Sequence, residues 1–222
     1  MTSEKNLSQT ENVYLSIREE IISGMLAPGI KIKINDLCKK HEVSLGAVRE
    51  ALSRLTAEGL VQSEAQKGFK VTPISIEDLE HLAIARIEIE SICLEYSIQH
   101  GDLDWESNIL ATFHKLKRTP ERMTENNKIT SPDWEHIHHQ FHLLLVSACP
   151  NTWLLKVREF LYAQSERYRR LSTHYDDKSR NLAEEHEQLM NAVIHKDTAL
   201  AKSIIKNHIL LTTEIILNAM KN

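Results

Sequence analysis

What this chain lacks narrows its class before anything it contains. No apolar run approaches the roughly 18 residues that a membrane-spanning helix needs. The first dozen residues, Met1 to Asn12, are polar and hold no apolar core of a signal peptide. A cytoplasmic protein with no membrane partner is expected. Cysteine is scarce: Cys38, Cys93 and Cys149 are odd in number, widely spaced and form no Cys-x-x-Cys pair. That set argues against a disulfide framework and suits reduced thiols buried as small apolar groups. Missing too are a Gly-rich phosphate loop, a Gly-x-Ser-x-Gly elbow and the His-Asp doublet of helical metal phosphohydrolases, which weighs against an enzyme. Short internal repeats and low-complexity tracts are absent. A strong excess of one charge is lacking as well. The formal net charge of −4 argues against a protein that coats nucleic acid.

What is present is ordinary for a soluble globular chain. The 222 residues are 41% hydrophobic and 26% charged, enough for one large domain or two small ones, each with its own core. The charge is uneven. Residues 1–74 hold ten Lys+Arg against nine Asp+Glu, while residues 75–222 hold seventeen against twenty-two. Contact with DNA is therefore expected in the first third only, where a few well-placed cations suffice.

Apolar spacing predicts a helix over Val13–Ser23, carried by Val13, Ile17 and Ile21 and stopped at Gly24. Ile30 to Ile34 alternates Ile with Lys and reads as a short extended piece. Asn35 can cap a second helix, Asp36–His41. Ser44 can cap a third, whose stripe is Val48, Leu52 and Leu55, whose staple is Val43 and whose stop is Gly59. Two strands, Leu60–Ser63 and Phe69–Thr72, flank a tip of Gln66, Lys67 and Gly68. Beyond the linker Thr72–Ser75 only helices are expected, at about 76–99, 103–118, 133–149, 151–173, 176–195 and 197–220. The fold class expected is mainly α. An N-terminal winged helix-turn-helix (three helices plus a β-hairpin, residues 1–73) precedes an all-helical C-terminal bundle (74–222).

A short helix, a tight turn and a capped helix place that capped helix in the major groove of DNA. Its outward side carries Leu45, Gly46, Arg49 and Ser53. Ser44 stands at its N-terminal end with the DNA-binding set, and Gly46 and Ala47 there let backbone N–H groups come close to phosphate. Arg49 can make the bidentate contact to guanine. Arg54 lies roughly 140° around the wheel, nearer the DNA backbone or a partner subunit. Lys67 and Gly68 suit a phosphate or minor-groove contact by the wing. The competing view of Arg49 is a solvated surface cation.

Twelve histidines are present, and four fall on inward stripes. His138 and His142 share one helix face with Trp134, Phe141 and Leu145; His186 lies among Leu182, Leu189, Met190 and Val193; His208 lies among Ile204, Ile205, Leu211 and Ile215. A buried imidazole needs a partner, and three helices offering rings to one core suggest a shared one, a divalent metal. Rings hydrogen-bonded singly to carboxylates or carbonyls are the alternative. His136 and His139 fall off the inward face and are expected in solvent.

Leu26-Ala27-Pro28-Gly29, Val43-Ser44, Val48-Arg49-Glu50-Ala51-Leu52, Leu55, Glu58-Gly59-Leu60-Val61 and Gly68 resemble the GntR family of regulators over residues 12–73. In that family the Arg matching Arg49 touches DNA. Leu45-Gly46-Ala47 stands where members often carry Arg-Thr-Pro, so one usual base-contacting Arg is missing. Arg86 and Glu90, Phe141-His142, Asn151, Glu185-His186 and His208-Ile209 resemble the FCD ligand-binding domain of the FadR subgroup. His138, Phe141 and His142 with Tyr168-Arg169 are most similar to the carbon-starvation-induced regulator branch. The resemblance implies a metal on His142, His186 and His208 beside a small carboxylate effector. The family's Asp ligand is His138 here, so four neutral imidazoles would leave M²⁺ at +2 instead of +1 and favour an anionic ligand. Imidazole ligation suits a transition metal, zinc or nickel first. Arg86 and Arg169 are candidates for the far end of the effector, against the alternative of ordinary salt bridges.

A homodimeric repressor of double-stranded operator DNA fits these features best, with an activator behind it. A metal-dependent hydrolase with an accessory DNA-binding domain is the alternative. A regulator whose histidines are purely structural is a third.

Overall fold

The computed structural model describes residues 8–123, 130–172 and 180–221, the side chains of residues 171 and 172 excepted. The chain forms two compact units, Met1–Ser75 with Glu166–Leu171, and Ile76–Ser165 with Ser172–Asn222.

The first unit is a winged helix-turn-helix: α1 (Gln9–Ile22), β1 (Lys31–Ile32), α2 (Ile34–His41), α3 (Leu45–Ala57), β2 (Val61–Glu64) and β3 (Gly68–Val71). Its core joins Val13, Ile17 and Ile21 of α1 to Val48, Leu52 and Leu55 of α3. Helix α1 begins four residues before the expected Val13. Ser8 accepts a hydrogen bond from the Glu11 N–H at 3.1 Å, so a polar first turn precedes the apolar stripe. Helix α2 begins at Ile34 with Lys33 at its N-cap and no side-chain cap bond, so Asn35 lies inside the helix and does not cap it. Ser44 does cap α3, accepting from the Ala47 N–H at 3.2 Å. At the far end Gly59 takes φ +71°, which lets the Leu60 N–H reach the Leu55 carbonyl at 2.9 Å and close the helix. Strand order is β1-β3-β2, with Ile32 opposite Phe69 and Val61 opposite Val71, both pairs antiparallel. The Ile-Lys piece thus adds a third strand to the hairpin.

The second unit is a helical bundle built on α4 (Ile76–His100), α5 (Leu103–Arg118), α6 (Pro132–Val146), α7 (Thr152–Ser172, of which Glu166–Leu171 is counted with the first unit), α8 (Leu182–Ile194) and α9 (Thr198–Lys221). The helix expected over 176–195 begins only at Leu182, because Asn181 caps it by accepting from the Glu184 N–H at 3.1 Å; positions 176–179 lie outside the described residues. Among the described residues this unit holds no strand beyond an isolated bridge between Arg122 and Thr130. One core runs through Leu94, Trp105, Ile109, Phe113, Phe141, Leu145, Leu189, Val193 and Ile205. Trp105 also donates its indole N–H to the Leu144 carbonyl at 2.7 Å, which ties α5 to α6. No helix among the described residues is long and apolar enough to cross a membrane.

Candidate functional site

Helix α6 starts at Ser131, whose hydroxyl accepts from the Trp134 N–H at 3.4 Å, with Pro132 in the first turn and Asp133 and Glu135 facing the positive helix end. That start places His138 and His142 one turn apart on the buried face. His186 comes from α8 and His208 from α9. All four rings are buried, at 1–6% exposure. One ligand nitrogen from each lies within 4.8 Å of the other three. His142 Nε2 stands 3.1 Å from His138 Nε2 and 3.3 Å from His186 Nε2. Ligand nitrogens at about 2.0–2.1 Å from a tetrahedral zinc lie roughly 3.3–3.4 Å apart. These two close pairs have the spacing of neighbouring ligands, and the four residues together could hold an ion. The widest ring pair is His138 and His208, with centroids 6.4 Å apart. Trp134 stacks on His138 at 4.5 Å and an interplanar angle of 14°, fixing that ring in place.

The electrostatics keep three of the rings, His142, His186 and His208, neutral. Burial, then the rings of His138, His208 and His186, push His142 well below the usual imidazole value. Burial, then His208, does the same to His186. Burial also lowers His208, although the Glu185 carboxylate works the other way. Neutral imidazole keeps a lone pair for a metal at pH 7. Glu185 itself is held at about 2: burial would raise it, but hydrogen bonds from Arg180 and His208 outweigh that.

Next to the histidines lies a buried ion system. Arg158, at 1% exposure, donates from Nε to Glu90 Oε1 at 3.1 Å and from Nη2 to the His142 carbonyl at 3.3 Å. Arg86 lies 3.6 Å from the same Glu90 oxygen and donates from Nη1 to Ser165 Oγ at 2.6 Å. Both guanidiniums lie over the Tyr162 ring, at 4.8 Å for Arg86 and 4.6 Å for Arg158. Arg86 is thus a buried cation close enough to depress His142 and His208. Arg169 is engaged elsewhere, by Glu166 in its own helix at 2.8 and 2.7 Å, and is counted with the first unit. His136 is exposed; His139, expected in solvent, instead packs on Tyr162 at 4.9 Å. Sequence reasoning missed Arg158 and the grip of Arg180 on Glu185. The inward place of Arg158 on α7 was the available signal.

In the first unit the outward face of α3 presents Leu45, Gly46, Arg49, Glu50 and Ser53 to solvent. A Cβ at Gly46 would meet only the Ser44 hydroxyl, at 3.8 Å, so the helix start is open. Arg54 is turned to α1: it donates to Glu11 at 2.6 Å and lies 3.8 Å over the Tyr14 ring. Lys67 is 77% exposed on the wing, and Gly68 follows at φ +90°, a conformation glycine adopts without strain.

Known proteins match both halves. The family model for the FCD domain matches residues 81–211, and that for bacterial regulatory proteins of the gntR family matches residues 9–71. The chain is 38% identical to the HTH-type transcriptional regulator BphR of Paraburkholderia xenovorans (strain LB400), over 91% of this chain and 82% of that one. It is 32% identical to the HTH-type transcriptional repressor GlaR of Escherichia coli (strain K12), over 93% and 95%. A solved GntR regulator from Rhodococcus sp. RHA1 shares the fold at a TM-score of 0.73 and 22% identity, covering 96% of this chain and 99% of that one. These relatives are regulators and not enzymes, which removes the hydrolase alternative. With a winged helix-turn-helix at one end and a four-histidine bundle at the other, the chain belongs to the gntR family of bacterial regulatory proteins, carries an FCD domain, and is a DNA-binding transcription regulator.

Proposed function

We propose that this regulator is a cytoplasmic, homodimeric repressor whose hold on operator DNA is controlled by a small organic acid bound beside a divalent transition metal. The observation that carries it is the convergence of His138, His142, His186 and His208 in the bundle. Residues 1–73 read the operator and residues 74–222 sense the effector and dimerise. Zinc or nickel on four neutral imidazoles would supply a +2 Lewis-acid centre for a carboxylate. Arg86 and Arg158 share the Glu90 carboxylate, and Arg158 also reaches Glu159 at 3.5 Å, so that corner is a balanced network of two guanidiniums and two carboxylates. A cavity of about 180 Å³, with Phe113, Leu116, Trp134, Leu182 and His186 in its wall and one cation, Lys117, against one carboxylate, Glu121, reaches one ligand ring and has room for a small acid. The larger cleft of about 450 Å³ along α8 and α9 sets three carboxylates, Glu184, Glu185 and Glu214, against one cation, Arg180, a poorer balance for a carboxylate. Arg169 is not needed in this scheme, being paired with Glu166. A thermal-shift screen of small organic acids on the purified protein, with and without chelator, tests the proposal. A stabilising acid whose effect vanishes with chelator supports it, and equal shifts in both series overturn it.

At the other end, Arg49 is the base-reading residue, Ser44 and Gly46 open the helix start to phosphate, and Lys67 and Gly68 position the wing. Arg54 acts through α1, orienting α3 from behind. Arg49→Ala is expected to weaken specific operator binding by on the order of 1–3 kcal/mol with the melting temperature unchanged. A gel-shift titration at fixed salt is the check, and unaltered affinity would remove Arg49 from this role.

A winged unit of this size covers one half-site, and two-fold operators are read by two-fold proteins. Sedimentation at micromolar concentration is expected to give twice the 25.5 kDa chain mass. A monomer with and without operator DNA would contradict the dimer.

A further inference from the structure

One of the four rings has an outer partner of unusual completeness. His208 Nδ1 lies 2.9 Å from Glu185 Oε2. Arg180 grips the same carboxylate from the other side, Nε to Oε1 at 2.7 Å and Nη2 to Oε2 at 2.7 Å. The remaining Arg180 bonds return to α9: Nη2 to the His208 carbonyl at 3.2 Å and Nη1 to Thr212 Oγ1 at 2.9 Å. Arg180 Nη2 also lies 3.3 Å from His208 Nδ1, which raises the question of which nitrogen holds the proton.

Donor counting answers it. Nη2 carries two protons, and both already have oxygen acceptors, Glu185 Oε2 and the His208 carbonyl. None is left for Nδ1. A lone pair on Nδ1 would face an ionised carboxylate oxygen at 2.9 Å, which is repulsive, whereas an Nδ1–H donates to it. The proton therefore sits on Nδ1, and the bare Nε2 is the nitrogen free for a metal. We propose that Glu185, held by Arg180, locks His208 in its metal-binding tautomer, so that this pair sets the affinity of the histidine cluster for its ion. The inference rests on the metal reading above, but the tautomer is a property of the protein without metal.

Glutamine at position 185 makes the distinction sharp. The carboxylate offers acceptor oxygens to Arg180 Nε, Arg180 Nη2 and His208 Nδ1 together. The amide has one oxygen. With that oxygen kept by the guanidinium, its NH₂ faces Nδ1, which must then accept. The ring proton moves to Nε2 and blocks the ligand position.

The experiment uses the full chain and two readouts. Imidazole ¹⁵N NMR of the protein without metal should show His208 protonated at Nδ1 in wild type and at Nε2 in Glu185→Gln. Chelator competition with zinc should show affinity falling about 10–100-fold in Glu185→Gln, the range seen when an outer partner of a ligand is lost. Arg180→Gln, which removes the grip but leaves the Glu185 carboxylate as His208's acceptor, should lose less in the same direction and serves if the first variant misfolds. In a His208→Ala background, Glu185→Gln should have no further effect on zinc affinity beyond about twofold. An unchanged tautomer in Glu185→Gln overturns the proposal, as does an affinity loss of equal size in the His208→Ala background. Wild type that takes up no zinc while showing the tautomer switch overturns the metal reading and leaves the lock supported.

Discussion

Removing the proposed metal with a chelator is expected to lower the melting temperature by on the order of 10 °C. A ligand that binds only the folded state at about a thousandfold over its dissociation constant contributes about 4 kcal/mol, and a chain of this size shifts roughly 2–4 °C per kcal/mol. The structural ground is that three helices meet at the histidines: α6 supplies two rings, α8 and α9 one each. An ion on them would cross-link the bundle. His186→Ala should bring about one bound metal per chain down to well under half, because its ring is central to the cluster, 4.9–5.2 Å from each of the other three. The alanine variant should also become insensitive to chelator. Elemental analysis beside melting curves is the measurement. Wild type that holds no metal after incubation with zinc or nickel, and melts identically with chelator, would return these histidines to hydrogen-bonded core residues.

Arg158→Ala should cost about 3–5 kcal/mol, because removing one partner of a buried ion pair strands the other. Glu90, at 2% exposure, would keep only Arg86, whose Nε stands 3.6 Å away. The His142 carbonyl would lose its guanidinium donor as well. Burial works against the charge on Arg158, but Glu90 and the Tyr162 ring outweigh it and keep it protonated. The second variant separates the causes. Adding both Glu90→Gln and Arg86→Met to Arg158→Ala removes every charge of the triad, and more than half of the lost stability should return, since loss of all the charged partners costs less than loss of one. Urea unfolding midpoints report both. A single variant within about 1 kcal/mol of wild type would show that the pair is solvated and without structural weight.

Much of this fold was legible because helices and caps are local. Val13, Ile17 and Ile21, or Val48, Leu52 and Leu55, repeat at the helical period, and such stripes must be buried wherever the helix docks. Ser44 and Gly59 mark the ends of α3 through bonds to residues three to five positions away. Helix starts went astray where the local signal was polar, as at Ser8, or where no cap bond exists, as at Lys33.

The same logic divides the site. Sequence periodicity alone placed His138, His142, His186 and His208 on inward faces, since which face a residue occupies depends only on its own helix. It could not place the partners of long charged side chains, which reach residues far along the chain. Arg54 was expected near DNA or a second subunit and lies on Glu11, 43 positions away. Arg169 was expected at the effector and lies on Glu166. Arg158 went unnoticed, and its burial follows from Glu90, 68 positions distant. Whether four inward rings meet at one point, and which nitrogen of His208 faces that point, depends on how α6, α8 and α9 pack. Packing is a sum over the whole core, so only the tertiary structure decides it.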